Sequence, residues 1–598
     1  MKSTILSRRD LDFLLYEWLG VDDLTKRDRF AEHSRETFDG VLDLCEQLAT
    51  RYFAPHNKTS DAHEPTFDGT TVTVVPEVKE AIDAFAQADL LGMTADERHG
   101  GAQLPVCVAQ AGFAWVAAAN VSTSGYLMLT IANANLVAHF GTDEQVDAYV
   151  RPMLSGRFLG TMALSETQAG SSLADITTRA ELRDDGTYRL FGSKMWISGA
   201  EHEMSDNIVN LVLAKIPGGP PGTKGISLFL VPKFLVGPDG SIGERNDVAI
   251  AGLNHKMGQR GITNTVLNFG DGTHTPAGEP GAIGYLVGEA HRGLAHMFHM
   301  MNEARLGVGM GAVALGYTGY LKSLQYARER PQGRLVTAKD PSTPQVPIIE
   351  HADVKRMLLA QKAYVEGGMA LELYCARLID LQHTAESDEE RDATTLLLDI
   401  LIPVAKAWPS QWCLAANDLA IQVYGGYGYT REYDVEQHYR DNRLNPIHEG
   451  TNGIQSLDLL GRKVTQRGGA SLAELGRAVS ATCDRAGATG GEAADLAADL
   501  RASWERLVGV TAGMFAAGDA GAAMANSAVY LEAFGHVVVA WLWLEQYVTA
   551  EGHAGDFYDG KRAAARFFFR YELPRTAPQL DLLASLDRTT LDMRDGWF

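Results

Sequence analysis

Residues 444–455, LNPIHEGTNGIQ, set His448 beside Glu449, with Gly450 and Thr451 following. A His–Glu pair can open a zinc-binding helix, but that motif needs a second histidine four positions after the first. Asn452 stands there, so the zinc helix is excluded. Two readings stay open: a carboxylate base on a glycine turn, or a helix-entry turn in which Glu449 only caps backbone N–H groups. Burial against apolar groups disfavours a carboxylate's charged form and raises its pKa, which strengthens it as a base. A second cluster, His296, His299 and Glu303, shares one face of a predicted helix and has metal-ligand side chains. A packed or solvated histidine face is the reading adopted there, and no metal is expected.

The chain that must position these groups has 598 residues, more than one core serves, so two to four domains are expected. With 45% hydrophobic and 21% charged residues it is too apolar for a disordered chain. A net charge of -22, from 53 basic and 75 acidic residues, argues against a nucleic-acid surface. An anionic ligand must then find local cations or helix N-termini. Cys45, Cys107, Cys375, Cys413 and Cys483 are scattered and form no C-x-x-C pair, which points to a reducing compartment and no structural zinc. The charged N-terminus does not read as a signal peptide, and a cytoplasmic location is expected. The apolar run HVVVAWLWLEQ at 536–546 is shorter than the about 20 residues a bilayer span takes, and reads as a buried helix. GKRAAARFFFRYELP is basic and aromatic. A packed helix is its expected use, with peripheral membrane contact as the alternative.

Helical spacing runs through residues 1–160. GTDEQVDAYVRPMLSG carries a Thr142 start signal and Gly156 past its end. From 161 to 285 the pattern changes to short runs rich in Val, Ile, Leu and Phe: TYRLFGSKMWIS, NIVNLVLAKI, GISLFLVPKF and ITNTVLNFG. The loop PGGPPGTKG separates two of them. Helical spacing returns over 286–465, interrupted by KDPSTPQVP. QRGGASLAELGRAVSATCDRAGATGG reads as a flexible border, and the Ala-rich remainder of 466–598 as a helical extension.

Four stretches in order resemble the signatures of the acyl-CoA dehydrogenase family: MALSETQAGSS at 162–172, KMWISGA at 194–200, ARERPQG at 327–333 and QVYGGYGYTREYDVEQHYRDNRLNPIHEGTNGIQ at 422–455. The N-terminal and C-terminal segments resemble the larger subgroup of about 600 residues, which includes broad fatty acyl-CoA and 3-methylthiopropionyl-CoA dehydrogenases. The resemblance implies a mainly α fold with a small β domain. It has a helical domain, a β-barrel-like middle domain, a four-helix domain and a C-terminal helical extension. It implies FAD-dependent α,β-dehydrogenation of an acyl-CoA to a trans-2-enoyl-CoA, of the fatty acid β-oxidation type, with electrons passed to electron-transfer flavoprotein. The alternatives are a 3-methylthiopropionyl-CoA dehydrogenase, an acyl-CoA oxidase and, outside enzymes, a non-catalytic acyl-CoA-binding scaffold.

Carried over residue by residue, the resemblance makes Glu449 the base, its own amide a donor to the thioester oxygen, and Gly450 the point of close backbone approach. Met162, Leu164, Ser165, Gly170 and Ser171 match the loop bordering the flavin, with Ser171 also near substrate. Trp196 and Ser198 match the strand covering the ring. Arg330, Gln332, Gln422, Gly425 and Gly426 match contacts to the FAD of a neighbouring subunit, which implies a homodimer or a dimer of dimers. Thr451 matches an adenine-end contact, and Arg305 the arginine that shapes the CoA and thioester site. Some family members carry the base on that helix immediately before the arginine. Here Ala304 is in that place and Glu303 one residue earlier, about 100° around the helix, which makes Glu303 the runner-up base. Tyr424 or the helix around residue 300 is expected to limit acyl length. The chain departs from the family at Thr167, Ser172, Gly453 and His448, where Pro, Asp, Gln and Tyr are usual. Asp175 nearby suggests that the flavin loop is kept. A protonated His448 lowers the Glu449 pKa, whereas a neutral one hydrogen-bonds in the pocket. H448Y is expected to shift the pH optimum of dehydrogenation. Three uses are open for the tail: covering the site entrance, extending a dimer or binding a membrane.

Overall fold

The structure, a computed structural model, describes residues 3–340 and 342–598, apart from the side chains of His299 and Asn302. The chain divides into two units. One comprises Glu36–Leu104 and Trp115–Gly307, the other Met1–Arg35, Pro105–Ala114 and Val308–Phe598.

The first unit is built on eight strands: β1 Phe158–Ala163, β2 Arg179–Leu182, β3 Tyr188–Ser198, β4 Asn207–Lys215, β5 Ile226–Pro232, β6 Val248–Leu253, β7 Asn264–Phe269 and β8 Ala282–Leu286. Their order is β6-β7-β3-β8-β5-β4-β1, and β2 bridges β3 and β4. The pairings β3-β8, β8-β5, β5-β4, β4-β2 and β2-β3 close a ring, which is the barrel-like domain expected. β3, β4, β5 and β7 are the four strands read from sequence; β4 and β5 are buried almost from end to end, hence their unbroken apolar runs. β1, β2, β6 and β8 escape that reading, because they are four to six residues long and three carry glycine. The predicted start after Thr142 is present as a capping box with Gln145. Helix α1, Val121–Phe140, is locked onto the sheet by buried Asn133, whose Nδ2 donates to the carbonyls of Thr161 and Val209 at 2.9 Å each.

The second unit is helical: the later part of α2 (Gly293–Glu329), then α3 (Ala352–His383), α4 (Asp388–Tyr424), α5 (Val435–Asn442), α6 (Asn452–Asp458), α7 (Ala470–Thr489), α8 (Gly491–Ala516), α9 (Ser527–Ala550) and α10 (Asp556–Phe567). Ser387 caps α4, accepting from Glu390 N–H at 3.1 Å. α2 and α4 approach closely at small residues: an added methyl on Gly316 would lie 2.8 Å from Cys413 Cβ. The stretch expected as a flexible border is helix α7. Its Leu475, Val479, Cys483 and Ala486 are buried at spacings of four, four and three, a helical stripe masked by the glycines at each end. The apolar run at 536–546 extends at both ends into α9, which is long and apolar enough to cross a membrane but is largely buried within this unit. The aromatic residues Phe567, Phe568 and Phe569 are likewise buried here, and Arg566 pairs with Glu492. Buried Lys561 on α10 ion-pairs with Asp10 and, at 2.9 Å, with Glu366 on α3, and Tyr317 donates to Asp10 at 2.8 Å. That cluster explains why the first 35 residues belong to the unit that contains the C-terminal extension.

Candidate active site

In the sheet unit, the loop after β1 is pinned by one carboxylate. Glu166, 4% exposed, accepts hydrogen bonds from the backbone N–H groups and hydroxyls of Thr177 and Thr178 at 2.6–3.0 Å. It also ion-pairs with fully buried Lys194 at 3.0 Å, and that ammonium donates to the Leu164 carbonyl. Burial opposes its charge, but the Lys194 ammonium and these donors outweigh it and hold the carboxyl well below its ordinary range. Met195 N–H bonds to the Ser165 carbonyl. Met162 is thereby buried, Leu164 and Ser165 half-buried, and Gly170 and Ser171 left exposed. Thr167 and Ser172, the two departures, are exposed on the same loop, so the pinning does not depend on them.

Next to the loop, β3 is bulged. Thr265 and Leu267 on β7 face Ile197 and Lys194, so Met195 and Trp196 oppose one residue. Trp196 has φ +66 and is 59% exposed. A bulky residue in the left-handed region, with a large apolar face in solvent, is strained twice over. Ser198 accepts from Asn264 Nδ2 at 3.1 Å. In the same unit Glu303 accepts from Asn135 at 3.1 Å, and burial raises its pKa. His296 packs on Phe140 with ring centroids 4.4 Å apart, and Arg305 is buried with its guanidinium 5.9 Å from the Phe298 ring. The His299 side chain lies outside the described residues. Among the described residues no three His, Cys, Asp or Glu side chains gather as a metal site.

In the helical unit, Arg330, Gln332, Gly425 and Gly426 line one groove of about 470 Å³. Tyr326 and Tyr424 stack in it at 4.1 Å, and Arg330 lies 5.4 Å from the Tyr427 ring. Tyr424 is a wall of this groove. Gly425 ends α4 at φ +62, ψ -138, a conformation open to glycine alone, and its N–H bonds back to the carbonyls of Ile421 and Gln422. The Gln422 side chain is exposed. A planar group could lie on the tyrosines and a phosphate could meet the arginine fork, so these residues fit a dinucleotide such as FAD.

The turn that raised the question is held from below by groups absent from the sequence reading. Asn417, Asn442 and Asn445 are buried and linked: Asn417 Nδ2 donates to the Leu315 carbonyl, Asn442 Nδ2 to Asn417 Oδ1 at 2.7 Å, and Asn445 Nδ2 to Asn442 Oδ1 at 2.9 Å. Lys406, fully buried on α4, donates to the Asn445 carbonyl at 2.6 Å. Above this ladder Glu449, half-buried, sits at φ +53 and Gly450 at φ +85. Gln455, also fully buried, donates to both their carbonyls at 3.3 Å. Thr451 caps α6, accepting from Ile454 N–H at 3.3 Å. The capping role thus falls to Thr451, and the Glu449 carboxylate is not the cap. His448 Nδ1 is 3.1 Å from the Leu444 carbonyl, which only accepts, so Nδ1 carries the hydrogen and Nε2 is left as an acceptor. Burial first, and the Lys406 ammonium second, bring His448 down to about 4. The neutral branch therefore holds above about pH 5. No written motif marks Lys406 or the asparagines; the only trace in sequence is polar residues on helices otherwise buried.

Four stretches match family profiles: residues 36–157 "Acyl-CoA dehydrogenase, N-terminal domain", 161–271 "Acyl-CoA dehydrogenase, middle domain", 291–464 "Acyl-CoA dehydrogenase, C-terminal domain", and 475–594 "Acetyl-CoA dehydrogenase C-terminal like". Among curated proteins, the chain is 33% identical over 575 residues to a 3-methylmercaptopropionyl-CoA dehydrogenase of Ruegeria pomeroyi, covering 94% of each chain. It is 34% identical to the broad-specificity linear acyl-CoA dehydrogenase FadE5 of Mycobacterium tuberculosis, covering 99% of each. Among solved structures, Caenorhabditis elegans ACDH-11 in complex with C11-CoA shares the fold, with TM-score 0.73 at 18% identity over 97% of this chain and 94% of that one.

Proposed function

The chain belongs to the acyl-CoA dehydrogenase family, and on that premise we propose that it dehydrogenates a linear acyl-CoA thioester to the trans-2-enoyl-CoA with Glu449 as the base. The observation that carries this reading is the turn. A carboxylate in the left-handed region, beside a glycine and over a buried ladder of Lys406, Asn417, Asn442 and Asn445, is held too firmly for a surface loop. Glu449 takes the proton from the carbon next to the thioester carbonyl, and its backbone N–H is the donor assigned to the thioester oxygen. FAD, when bound, supplies the hydride acceptor that no side chain provides. We assign its ring to Met162, Leu164, Ser165, Gly170, Ser171, Trp196 and Ser198. Arg330, Gln332, Gln422, Gly425 and Gly426 are assigned to the FAD of a second subunit, which makes the working form at least a homodimer, and Thr451 to the adenine end of FAD. Arg305, Gly450 and neutral His448 shape the thioester end.

Electrons leave to electron-transfer flavoprotein in this reading; hydrogen peroxide formed in step with turnover would identify an oxidase. The name of the Ruegeria relative supports 3-methylthiopropionyl-CoA as a second substrate reading. One experiment tests both. Purified yellow enzyme is mixed without oxygen with butyryl-, octanoyl-, palmitoyl- and 3-methylthiopropionyl-CoA, and bleaching is recorded. The wild type is expected to bleach with at least one, and E449Q to bind and stay yellow. Bleaching of E449Q at the wild-type rate would remove Glu449 from its role.

A further inference from the structure

Helices α2, α3 and α4 meet at Gly309. A methyl group there would lie 2.1 Å from Glu372 Oε1 and 2.3 Å from the Ala405 carbonyl oxygen. The two oxygens therefore lie within about 4.4 Å of each other, near enough for a protonated carboxyl to turn its hydrogen toward the carbonyl. The Ala405 carbonyl has a reason to need that hydrogen. Pro409, inside α4, has no N–H, so the bond that residue 409 of a helix normally makes to carbonyl 405 is missing. Glu372 is 2% exposed, and neither of its oxygens accepts a hydrogen bond. The titratable neighbours are buried thiols, Cys375 on α3 and Cys413 on α4. Burial alone holds the Glu372 carboxyl well above its ordinary range, which favours its protonated form. Lys406, the next residue after Ala405, points its ammonium at the Asn445 carbonyl beneath the catalytic turn.

We propose that Glu372 is a positioning residue: a neutral acid that donates its hydrogen to the Ala405 carbonyl left open by Pro409, and so sets the course of α4 from which Lys406 holds the Asn445–Glu449 turn. The hydrogen bond is argued from the surroundings of Gly309 and from Pro409, without Glu449. Its bearing on catalysis rests on Glu449 as the base.

The test compares wild-type holoenzyme with E372Q, which keeps a donor that does not titrate, and E372M, which has none. A raised folded pKa means that the wild type has this contribution in full below the unfolded value of 4.5 and loses it as pH rises. The wild-type unfolding midpoint is therefore expected to fall, relative to E372Q, by about 3 to 6 °C between about pH 5 and pH 8. With the acyl-CoA that bleaches the wild type fastest, E372M is expected to lose about tenfold in kcat at little change in KM, and E372Q to recover most of it. Parallel midpoint curves for wild type and E372Q overturn the hydrogen bond, and equal kcat losses in the two variants overturn the positioning role. If E372M does not fold, the midpoint curve and kcat of E372Q decide. Should E449Q prove active, the base lies elsewhere, yet the midpoint comparison still reads the Glu372 bond.

Discussion

Replacing Gly450 by alanine is the sharpest test of the idea that backbone geometry places the base. Gly450 has φ +85, and an added Cβ would lie 2.6 Å from Gln455 Nε2. Holding alanine in the left-handed region costs about 1–2 kcal/mol. Gln455 is fully buried and cannot swing into solvent, so it must give up its two 3.3 Å bonds to the carbonyls of Glu449 and Gly450. Those bonds are long, and together are worth about 1–2 kcal/mol. The turn is therefore destabilised by about 2–4 kcal/mol, enough to move it within a fold that survives. In stopped-flow bleaching G450A is expected to slow by about a hundredfold, the cost of a displacement near 1 Å, with FAD content and α-helical signal unchanged. Q455A loses the bonds without the strain, and is expected to fall between the two. A folded, yellow G450A that bleaches at the wild-type rate would refute the argument, because neither strain nor the Gln455 clamp would then matter to the base.

Three further outcomes follow from single groups. W196G relieves a left-handed tryptophan and removes an exposed ring, so the apoprotein is expected to unfold at the same or a slightly higher temperature while FAD dissociates more readily on gel filtration; a less stable apoprotein would show that the indole packs as core. Glu166 is held charged by Lys194 and its donors, so its contribution is present above the unfolded carboxyl pKa near 4.5 and lost as pH falls; the midpoint gap between wild type and E166Q should narrow below about pH 4.5 and stay constant between neutral pH and that point. His448 is neutral down to about 4, so H448Y is expected to leave the bleaching pH profile unchanged above about pH 5; a shift of the neutral-range profile would restore the protonated branch.

How far the sequence could be read depended on whether a feature was local. Strands β4 and β5 announced themselves because both faces are buried, and Thr142 because a cap is set by residues three apart. Glu449 was legible through its glycine neighbour and its resemblance to a family signature. The ladder beneath it was not, because Lys406, Asn417 and Asn442 belong to different turns and helices, and their partners are backbone carbonyls that any residue carries. Helix α7 was misread for a related reason: its buried residues are small or interspersed with glycine and alanine, so the stripe is faint against the flexible-looking flanks.

Left-handed residues show what must be added to an outlier before it points to function. Among the described residues nine other than glycine have positive φ, including Asp89, Gln103 and Gln259 as well as Trp196 and Glu449. Asp89 opens a short helical turn, a position where an acidic side chain tolerates the left-handed region at little cost. Trp196 has no such excuse: it interrupts a paired strand with a bulge and turns a large ring to solvent, although the same strand buries Ile197 beside it. Glu449 differs in another way. Its backbone is fixed by Gln455 above and by the lysine and asparagine ladder below, an investment of five buried polar side chains in one turn. Each of those groups loses water on folding and regains it only as hydrogen bonds of fixed direction. A turn that only linked α5 to α6 would be served by solvent at no such cost. Strain joined to a second feature, an exposed ring on a bulge at Trp196 and a buried polar support at Glu449, rather than strain alone, is what separates these two positions from the others.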